Sequence, residues 1–259
     1  MASRVIPELQ PRLAALYLQA LEQGRAMAPD GDGEPLHRYR VALRKLRCLL
    51  KLYRRHFPEE VVTALLASAA QQGRVSNEMR DLDVLAVTLG RTHPLSPQVA
   101  RWRSDAFARL FLALGQLKRE RQLCLSCLSL PWGKGRDSFE TVTDKVAQKL
   151  AHKVKRDLAR ALSSGEAEDW HRLRLRIKAQ RYLKEVCQPH KPWSRERALQ
   201  DVLGAFNDSC SQIAFLQSKL DDTNPPLRRQ LASLLEQTQL KKQRQLAALN
   251  SHSWQGEQN

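Results

Sequence analysis

The sequence predicts an all-α protein, and three observations support this class. Leu, Ala, Arg, Gln and Lys dominate the 259 residues, and all five favour helix. Glycine contributes only 11 residues, about 4% of the chain against a typical value of about 7%. No run of alternating Val, Ile and Thr is long enough to indicate a sheet. The hydrophobic content of 42% permits a buried core, which excludes disorder throughout the chain.

Proline and glycine positions divide the first half of the chain into helices. Gly24 marks the end of the first amphipathic segment, and Pro58 and Pro131 mark later ends. A loop is predicted over 29–35, between the first two helices. The predicted helices of this half cover residues 4–25, 36–56, 59–91 (as one or two helices) and 96–129.

The pattern of helices and breaks then begins again. The loop over 131–137 is the strongest candidate for a hinge, and Gly165 marks the end of the next helix. We predict one domain over 5–249 with halves at about 5–130 and 137–249, followed by a frayed tail over 250–259. The predicted helices of the second half cover residues 138–163, 169–187, a segment containing Leu199, Val202 and Leu203 that continues over 208–220, and 225–249.

Two short segments of the halves resemble each other. Residues 36–48 (LHRYRVALRKLRC) align without a gap with residues 170–182 (WHRLRLRIKAQRY), at an offset of 134. Residues 79–89 align with 206–216 at an offset of 127. Two similarities in the same order favour an internal repeat. The matched pairs of the first alignment are His37 with His171, Arg40 with Arg174, Arg44 with Lys178 and Arg47 with Arg181.

The chain carries a formal charge of +16, which raises self-repulsion and attracts polyanions. The obvious partners are nucleic acid, an anionic membrane and inorganic polyphosphate. The longest mildly apolar segment, 61–70, is about half the ~20 residues of a membrane span. The N-terminus has no apolar signal-peptide region. Five cysteines, an odd number, favour reduced thiols in a cytosolic protein over a disulfide framework.

Basic residues of each aligned segment share one face of a helix. With His37 as zero and ~3.6 residues per turn, Arg40, Arg44 and Arg47 fall at roughly 300°, 340° and 280°. Like charges at this spacing are destabilising by a few tenths of a kcal/mol per pair, which favours a partner of opposite charge over a merely solvated face. Lys51 lies in the same arc of the first face, and Glu185 occupies its place in the second. A third basic row before the second segment consists of Lys149, Lys153, Arg156 and Arg160.

A cation every ~4.5–6 Å along a helix suits a linear anion. Arginine binds phosphate oxygens in bidentate fashion. Nucleic acid fits less well, because binders of single strands interleave aromatic side chains for stacking and these rows contain none. A nearby polyanion favours protonated imidazole. We therefore expect His37 and His171 to gain protons on binding, and affinity to rise as the pH falls from about 8 to 6.

Carboxylate or amide side chains follow each aligned segment, in the acidic motifs: Asp81, Asp83, Asn207 and Asp208. They are expected to hold neighbouring arginines or cap helices; the alternative is a Mg²⁺ site beside a phosphate groove. A lone CxxC, Cys124 and Cys127, is expected to be packed thiols. No Gly-rich phosphate loop and no Gly-x-Ser-x-Gly elbow is present, so we predict no catalytic residues, no metal ligands and no cofactor.

The paired segments resemble the repeated motif of the CHAD family, the conserved histidine α-helical domain. The residues that carry the resemblance are His37-x-x-Arg40-x-x-x-Arg44-Lys45-x-Arg47, His171-x-x-Arg174-x-x-x-Lys178-x-x-Arg181-Tyr182, and the acidic motifs after each. The resemblance implies two pseudo-symmetric four-helix bundles with a central basic groove or pore that binds inorganic polyphosphate. Ala179 stands where the first copy has Lys45, which predicts a weaker second face at that point.

We therefore predict a non-enzymatic protein that binds polyphosphate and targets or organises the polymer, with polyphosphate-metabolising enzymes or granule proteins as further partners. Nucleic acid is expected only as a weak nonspecific competitor, membrane is not expected as a partner, and the expected location is the cytoplasm, at polyphosphate granules. Two alternatives remain open: a sequence-nonspecific RNA- or DNA-binding helical protein, and a metal-dependent polyphosphate or phosphate-ester hydrolase. The predicted polyphosphate-binding residues are His37, Arg40, Arg44, Lys45, Arg47, Lys51, Lys149, Lys153, Arg156, Arg160, His171, Arg174, Lys178 and Arg181.

Overall fold

The structure is a computed structural model that describes residues 4–133, 135, 137–190, 197–220 and 223–251. The described residues form ten α-helices, and their one β pairing is an isolated bridge between Arg4 and Ser138. The all-α prediction is confirmed. The helices are α1 (Val5–Arg25), α2 (Glu34–Leu52), α3 (Glu59–Val75), α4 (Asn77–Leu89), α5 (Ser96–Gln116), α6 (Lys118–Ser129), α7 (Phe139–Ser164), α8 (Ala167–Cys187), α9 (Arg197–Leu220) and α10 (Pro225–Ser251).

The chain divides into two compact units, residues 1–147 and 148–259. The first unit contains α1 to α6, a 3-10 turn over Arg54–His56 and the start of α7. In this unit α1 packs on α2 and α6, α2 packs on α3, and α4 packs on α5. Apolar residues at helical spacing form its core, because each helix turns one stripe inward. Fully buried examples are Leu9 and Leu13 of α1 and Leu43, Leu46 and Leu50 of α2.

The second unit contains the rest of α7 and α8 to α10, and its core surrounds Trp170. The Trp170 indole N–H donates to Asn250 Oδ1 over 2.8 Å, and Asn250 Nδ2 donates to the Gly165 carbonyl over 3.4 Å. Gly165 has φ +66°, a conformation that favours glycine at a helix end. Its N–H bonds the Ala161 carbonyl, so α7 stops where the sequence predicts.

Two boundaries differ from the sequence prediction, at Leu117 and at the end of α10. The predicted helix 96–129 is two helices that meet at buried Leu117, whose N–H donates to two carbonyls, those of Ala113 and Gly115. The segment 59–91, predicted as one or two helices, forms two, α3 and α4. Helix α10 continues to Ser251, past the predicted start of the frayed tail at 250, because Asn250 is bonded to Trp170. Residues 252–259 of that tail lie outside the described residues.

The predicted hinge loop is held against the first unit. Trp132 is 9% exposed, its indole N–H donates to the Cys127 carbonyl over 2.7 Å, and its ring meets the edge of Phe57 with centroids 5.2 Å apart. Farther on, Thr143 Oγ1 lies 2.8 Å from the buried Tyr53 hydroxyl. These contacts tie the start of α7 to the first unit, so the division falls between residues 147 and 148 and not near 134. Lys134 and Arg136 of the loop lie outside the described residues.

The first unit thus has two more helices than the four-helix bundle implied by the resemblance, and the second has four if its part of α7 is counted. The internal repeat stays a prediction. None of the described helices combines the length and apolar character needed to cross a membrane. All five cysteines are free thiols; Cys124 is buried and Cys127 is half-buried.

Candidate anion-binding faces

The first basic face lies on α2, opposite the leucines that enter the core. Its centre is a group of half-buried arginines, here called the α2 arginine cluster: Arg40, Arg44 and Arg47. The sequence folds this way because the cluster and the buried Leu43, Leu46 and Leu50 occupy different sides of one helix. The α2 segment is positioned by α1 on one side and α3 on another.

Arg40 joins α2 to the junction between α3 and α4. Its Nη1 donates to the Gly73 carbonyl over 2.9 Å and to Ser76 Oγ over 2.7 Å, and its Nη2 donates to Asn77 Oδ1 over 2.9 Å. Burial, reinforced by the charge of Arg44, lowers the pKa of Arg40 to about 10. A guanidinium at the end of α3 also compensates the negative end of the helix dipole. Arg40 therefore has a structural role in addition to its charge.

Arg44 and Arg47 are not neutralised by any carboxylate within 4 Å among the described residues, and the same holds for Arg40. The Nε atoms of all three are buried and have no hydrogen-bond partner among those residues. Arg47 extends over α3, where its Nη1 would lie 3.9 Å from a Cβ built on Gly73. Buried donors of this kind normally find a partner, which makes the cluster a candidate anion site.

The α2 arginine cluster is unusual in the first unit, because other arginines of this unit form salt bridges with glutamates. Arg38, also on α2, bonds Glu34 over 2.7 Å, and Arg109 of α5 bonds Glu78 over 2.9 Å. The flanking residues of the predicted face are more varied. His37 and Lys45 are half-buried, whereas Lys51 is exposed.

The second aligned segment lies on α8. His171 is exposed, and its Nδ1 lies 3.1 Å from Asn207 Oδ1 on α9. Arg174 and Lys178 are half-buried. Arg181 is paired with Glu185 over 2.6 Å, so the predicted edge of the basic face is an ion pair that removes Arg181 from the uncompensated set.

The third row lies on the exposed side of α7. Lys149, Lys153, Arg156 and Arg160 are all exposed, whereas Leu150, Val154 and Leu158 enter the core. Arg156 differs from the other three because it bonds Asp157 Oδ1 over 3.1 Å.

Asp157 is the acid that anchors this part of the second unit. Its side chain is 1% exposed and also accepts from Arg176 Nε of α8 over 3.1 Å. Burial acts to raise its pKa, but the hydrogen bonds from Arg176 and Arg156 outweigh burial and lower it. The only acid between residues 149 and 160 is thus internal: of the exposed row it bonds Arg156, and it leaves Lys149, Lys153 and Arg160 unpaired in the part of the chain that the structure describes.

The residues of the predicted acidic motifs differ in burial and in hydrogen-bond partners. Asp83 is buried and accepts from Arg103 Nε and Nη2 of α5 over 3.0 and 2.8 Å. Asp81 is half-buried, and burial raises its pKa while Arg40 and Arg80 oppose the shift. Asn207 contacts His171, and Asp208 is exposed. Within the described ranges, no group of three or more His, Cys, Asp or Glu side chains is arranged to hold a metal ion.

Four structural partners of these faces were not identified from the sequence: Gly33, Arg103, Asp157 and Arg176. A Cβ on Gly33 would lie 2.6 Å from Asp83 Oδ2, so glycine is required where the loop before α2 meets α4. No spacing pattern links these residues, because each pair is separated by many positions along the chain. A lone acid in an all-basic stretch, as at Asp157, was the one available signal.

The comparison with protein-family models shows the family. The sequence model of the CHAD domain matches residues 12–217, and the chain belongs to the CHAD family. No curated protein is significantly similar in sequence.

Two solved structures share the fold. The crystal structure of the CHAD domain from the plant Ricinus communis is similar with a TM-score of 0.72 and 21% identity, covering 99% of this chain and 91% of that one. PptA from Streptomyces chartreusis is similar with a TM-score of 0.67 and 17% identity, covering 98% of this chain and 100% of that one.

Proposed function

We propose that this CHAD-family chain binds inorganic polyphosphate, without catalysing its hydrolysis, through the basic faces of α2, α7 and α8. The α2 arginine cluster carries the proposal. Its guanidinium groups have buried Nε donors and no carboxylate partner among the described residues. Arginine offers several donors in a planar fork, which suits a polymer that presents phosphate oxygens at every repeat.

The exposed row of α7 supports a linear ligand. Its members recur every three or four residues, or about 4.5–6 Å along the axis at ~1.5 Å per residue. Their side chains are exposed, so a flexible polyanion reaches them without displacing protein contacts. Arg156 keeps one side bonded to Asp157, which makes Lys149, Lys153 and Arg160 the main contributors.

A nucleic-acid ligand is the second candidate, favoured by the net charge of +16. Stacking on bases requires accessible aromatic rings beside the cations. The aromatic residues on α2, directly after it and at the start of α8 are instead internal, since Tyr39, Tyr53 and Trp170 are all 0% exposed. Charge alone then favours the polymer with the highest density of phosphate, which is polyphosphate.

Calorimetric titration tests both candidates. Long-chain polyphosphate and single-stranded RNA of equal phosphate count are compared at about 0.15 M salt, with the double variant Arg44→Ala/Arg47→Ala. We expect polyphosphate to bind at least tenfold more tightly than RNA, and the variant to lose at least tenfold in polyphosphate affinity.

The matched control is Arg91→Ala/Arg101→Ala, which removes the same charge from exposed positions of the first unit. An equal loss of polyphosphate affinity in both variants would show that the α2 arginine cluster contributes only nonspecific charge. Equal affinity for the two polymers would favour the nucleic-acid candidate. Time-dependent release of orthophosphate with Mg²⁺ present, abolished by Asp81→Ala, would make the protein a hydrolase.

The proposal includes a cellular role, in which the protein targets or organises polyphosphate in the cytoplasm at granules, alongside polyphosphate-metabolising enzymes or granule proteins. A fluorescent fusion should coincide with stained polyphosphate, and the Arg44→Ala/Arg47→Ala variant should be diffuse. A variant that stays at the granules would show that contacts other than this cluster direct location.

A further inference from the structure

A cavity separate from the basic rows lies in the first unit, where the end of α1 meets α5 and α6. Its volume is about 500 Å³, within the range typical of small-molecule sites, ~300–1,000 Å³. Six large apolar side chains line it: Leu21, Met27, Phe107, Leu110, Phe111 and Leu114. Phe111 is 70% exposed, so the cavity opens to solvent along an apolar edge.

The charged side chains that line this cavity are all cationic. Arg25, Lys118 and Arg121 line the same cavity, and none has a salt bridge among the described residues. Arg121 is half-buried, and its Nε is buried with no hydrogen-bond partner among those residues. Burying a guanidinium in apolar surroundings costs free energy unless an anion pairs with it.

The Tyr39 ring, next to Arg121, does not supply that anion. A Cβ built on Gly24 would lie 3.4 Å from Arg121 Nη2 and 3.5 Å from Tyr39 Cε2, which places all three groups together. The Tyr39 hydroxyl donates to Gln72 Oε1 over 3.0 Å. Burial raises the pKa of Tyr39 to about 12, so the phenol is neutral at physiological pH.

We propose that this cavity binds a small aliphatic carboxylate, with its chain against Phe107, Leu110 and Leu114 and its carboxylate on Arg121. The apolar lining excludes a highly hydrated anion such as phosphate as the preferred ligand. The guanidinium excludes a neutral hydrocarbon as the preferred ligand, because its buried Nε would stay without an acceptor. A molecule with an apolar chain and a carboxylate provides a partner for both the apolar side chains and the Arg121 guanidinium.

Gly115 provides a way to block the cavity without disturbing the core. It lines the cavity within α5, and a Cβ at this position would meet no heavy atom within 4 Å. A large side chain there enters open space. Replacing a helical glycine also favours the helix, so Gly115→Phe is expected to fold.

The test is titration of the full chain, at about 0.2 M salt, with decanoate, 1-decanol and decylammonium, followed by calorimetry or NMR. These probes share a chain and differ only in the head group. We expect decanoate to bind at least tenfold more tightly than decanol, and decylammonium not to bind. Arg121→Gln should lose at least tenfold for decanoate and leave decanol unchanged, whereas Gly115→Phe should remove both.

Arg101→Gln is the control for overall charge, because it removes one exposed arginine of α5 outside the cavity. The proposal is overturned if decanoate does not bind, if Arg101→Gln weakens it as much as Arg121→Gln, or if Gly115→Phe leaves it intact while circular dichroism shows a folded chain. Competition by polyphosphate for decanoate, with Arg121→Gln weakening both, would also overturn it, because the site would then belong to the general anion surface.

Discussion

Buried acids hold arginines in both units, and they show how single residues support the basic faces. Asp83 is packed against the loop before α2 at Gly33 and accepts two hydrogen bonds from Arg103, which also donates to the Gly31 carbonyl over 3.3 Å. In the second unit, Asp157 joins α7 to α8 through Arg176. These acids are internal, so they leave the α2 arginine cluster and the exposed Lys149, Lys153 and Arg160 of α7 without a carboxylate partner among the described residues.

Gly33→Ala should destabilise the protein by about 2 kcal/mol, because the new Cβ would lie 2.6 Å from a buried carboxylate that Arg103 holds in place. Urea unfolding measures the change. Gly115→Ala is the matched control and should be neutral or stabilising by up to about 1 kcal/mol, since its Cβ meets open space. Equal stability of the two variants would contradict the assigned packing.

Asp157→Asn should lower the free energy of unfolding at pH 7 by about 2 kcal/mol, the scale of hydrogen bonds to a charged group. The hydrogen bonds from Arg176 and Arg156 lower the pKa of Asp157, against the effect of burial, from its ordinary value of 3.8. Its contribution is therefore present above about pH 3.8 and is lost as the pH falls through the lowered value.

The pH profile of unfolding distinguishes this role from simple packing. The difference between the wild type and Asp157→Asn should shrink between pH 4 and pH 2, in urea titrations at constant ionic strength. A difference that stays constant over this range would show that the carboxylate charge does not contribute.

At the scale of helices, the three basic faces differ in how much of their charge is available. On α2 the cluster is half-buried and Arg40 is held by hydrogen bonds to the α3–α4 junction, whereas the α7 row is exposed. On α8, Arg181 is paired with Glu185. We therefore expect α2 to supply specific contacts and α7 to supply mainly electrostatic attraction.

The triple variant Lys149→Gln/Lys153→Gln/Arg160→Gln should leave stability within about 0.5 kcal/mol, because all three side chains are exposed. It should also make the plot of log affinity for polyphosphate against log salt concentration less steep. Each lost phosphate contact lowers the magnitude of the slope by ~0.7, so three lost contacts lower it by about 2. Titrations at several salt concentrations measure the slope. An unchanged slope would exclude the α7 row from the binding surface.

At the scale of the whole molecule, a formal charge of +16 opposes compaction as well as attracting anions. The cores of the two units offset this repulsion with buried leucine and aromatic side chains, such as Leu46 and Trp170. Salt reduces the repulsion because it shortens the distance over which the charges act.

Raising NaCl from 10 to 100 mM shortens the screening distance from ~30 to ~10 Å and should therefore raise the Tm of the free protein. Polyphosphate at 100 times its Kd should add about 2.7 kcal/mol of stability. Scanning calorimetry measures both effects. A Tm that falls with added NaCl would mean that specific surface ion pairs outweigh the net repulsion.

The helical class, the family and the positions of most helices were predictable from the sequence. Composition, the 3.6-residue spacing of leucines and the Pro and Gly breaks are local properties, so they specify helices such as α2 and α7 directly. The break at Leu117 was missed because the hydrophobic pattern continues through it. The frayed tail was placed too early because the bond between Asn250 and Trp170 joins residues 80 positions apart.

The charge on each basic face also follows from the sequence by itself, since residues three and four apart on a helix share a side. Which of those charges are compensated depends on tertiary structure. Arg40 reaches the α3–α4 junction, and Asp157 is buried between Arg156 and Arg176. The cavity beside Arg121 exists only because α1, α5 and α6 meet there. Burial and pairing depend on which distant segments come into contact, and helical periodicity carries no information about those contacts.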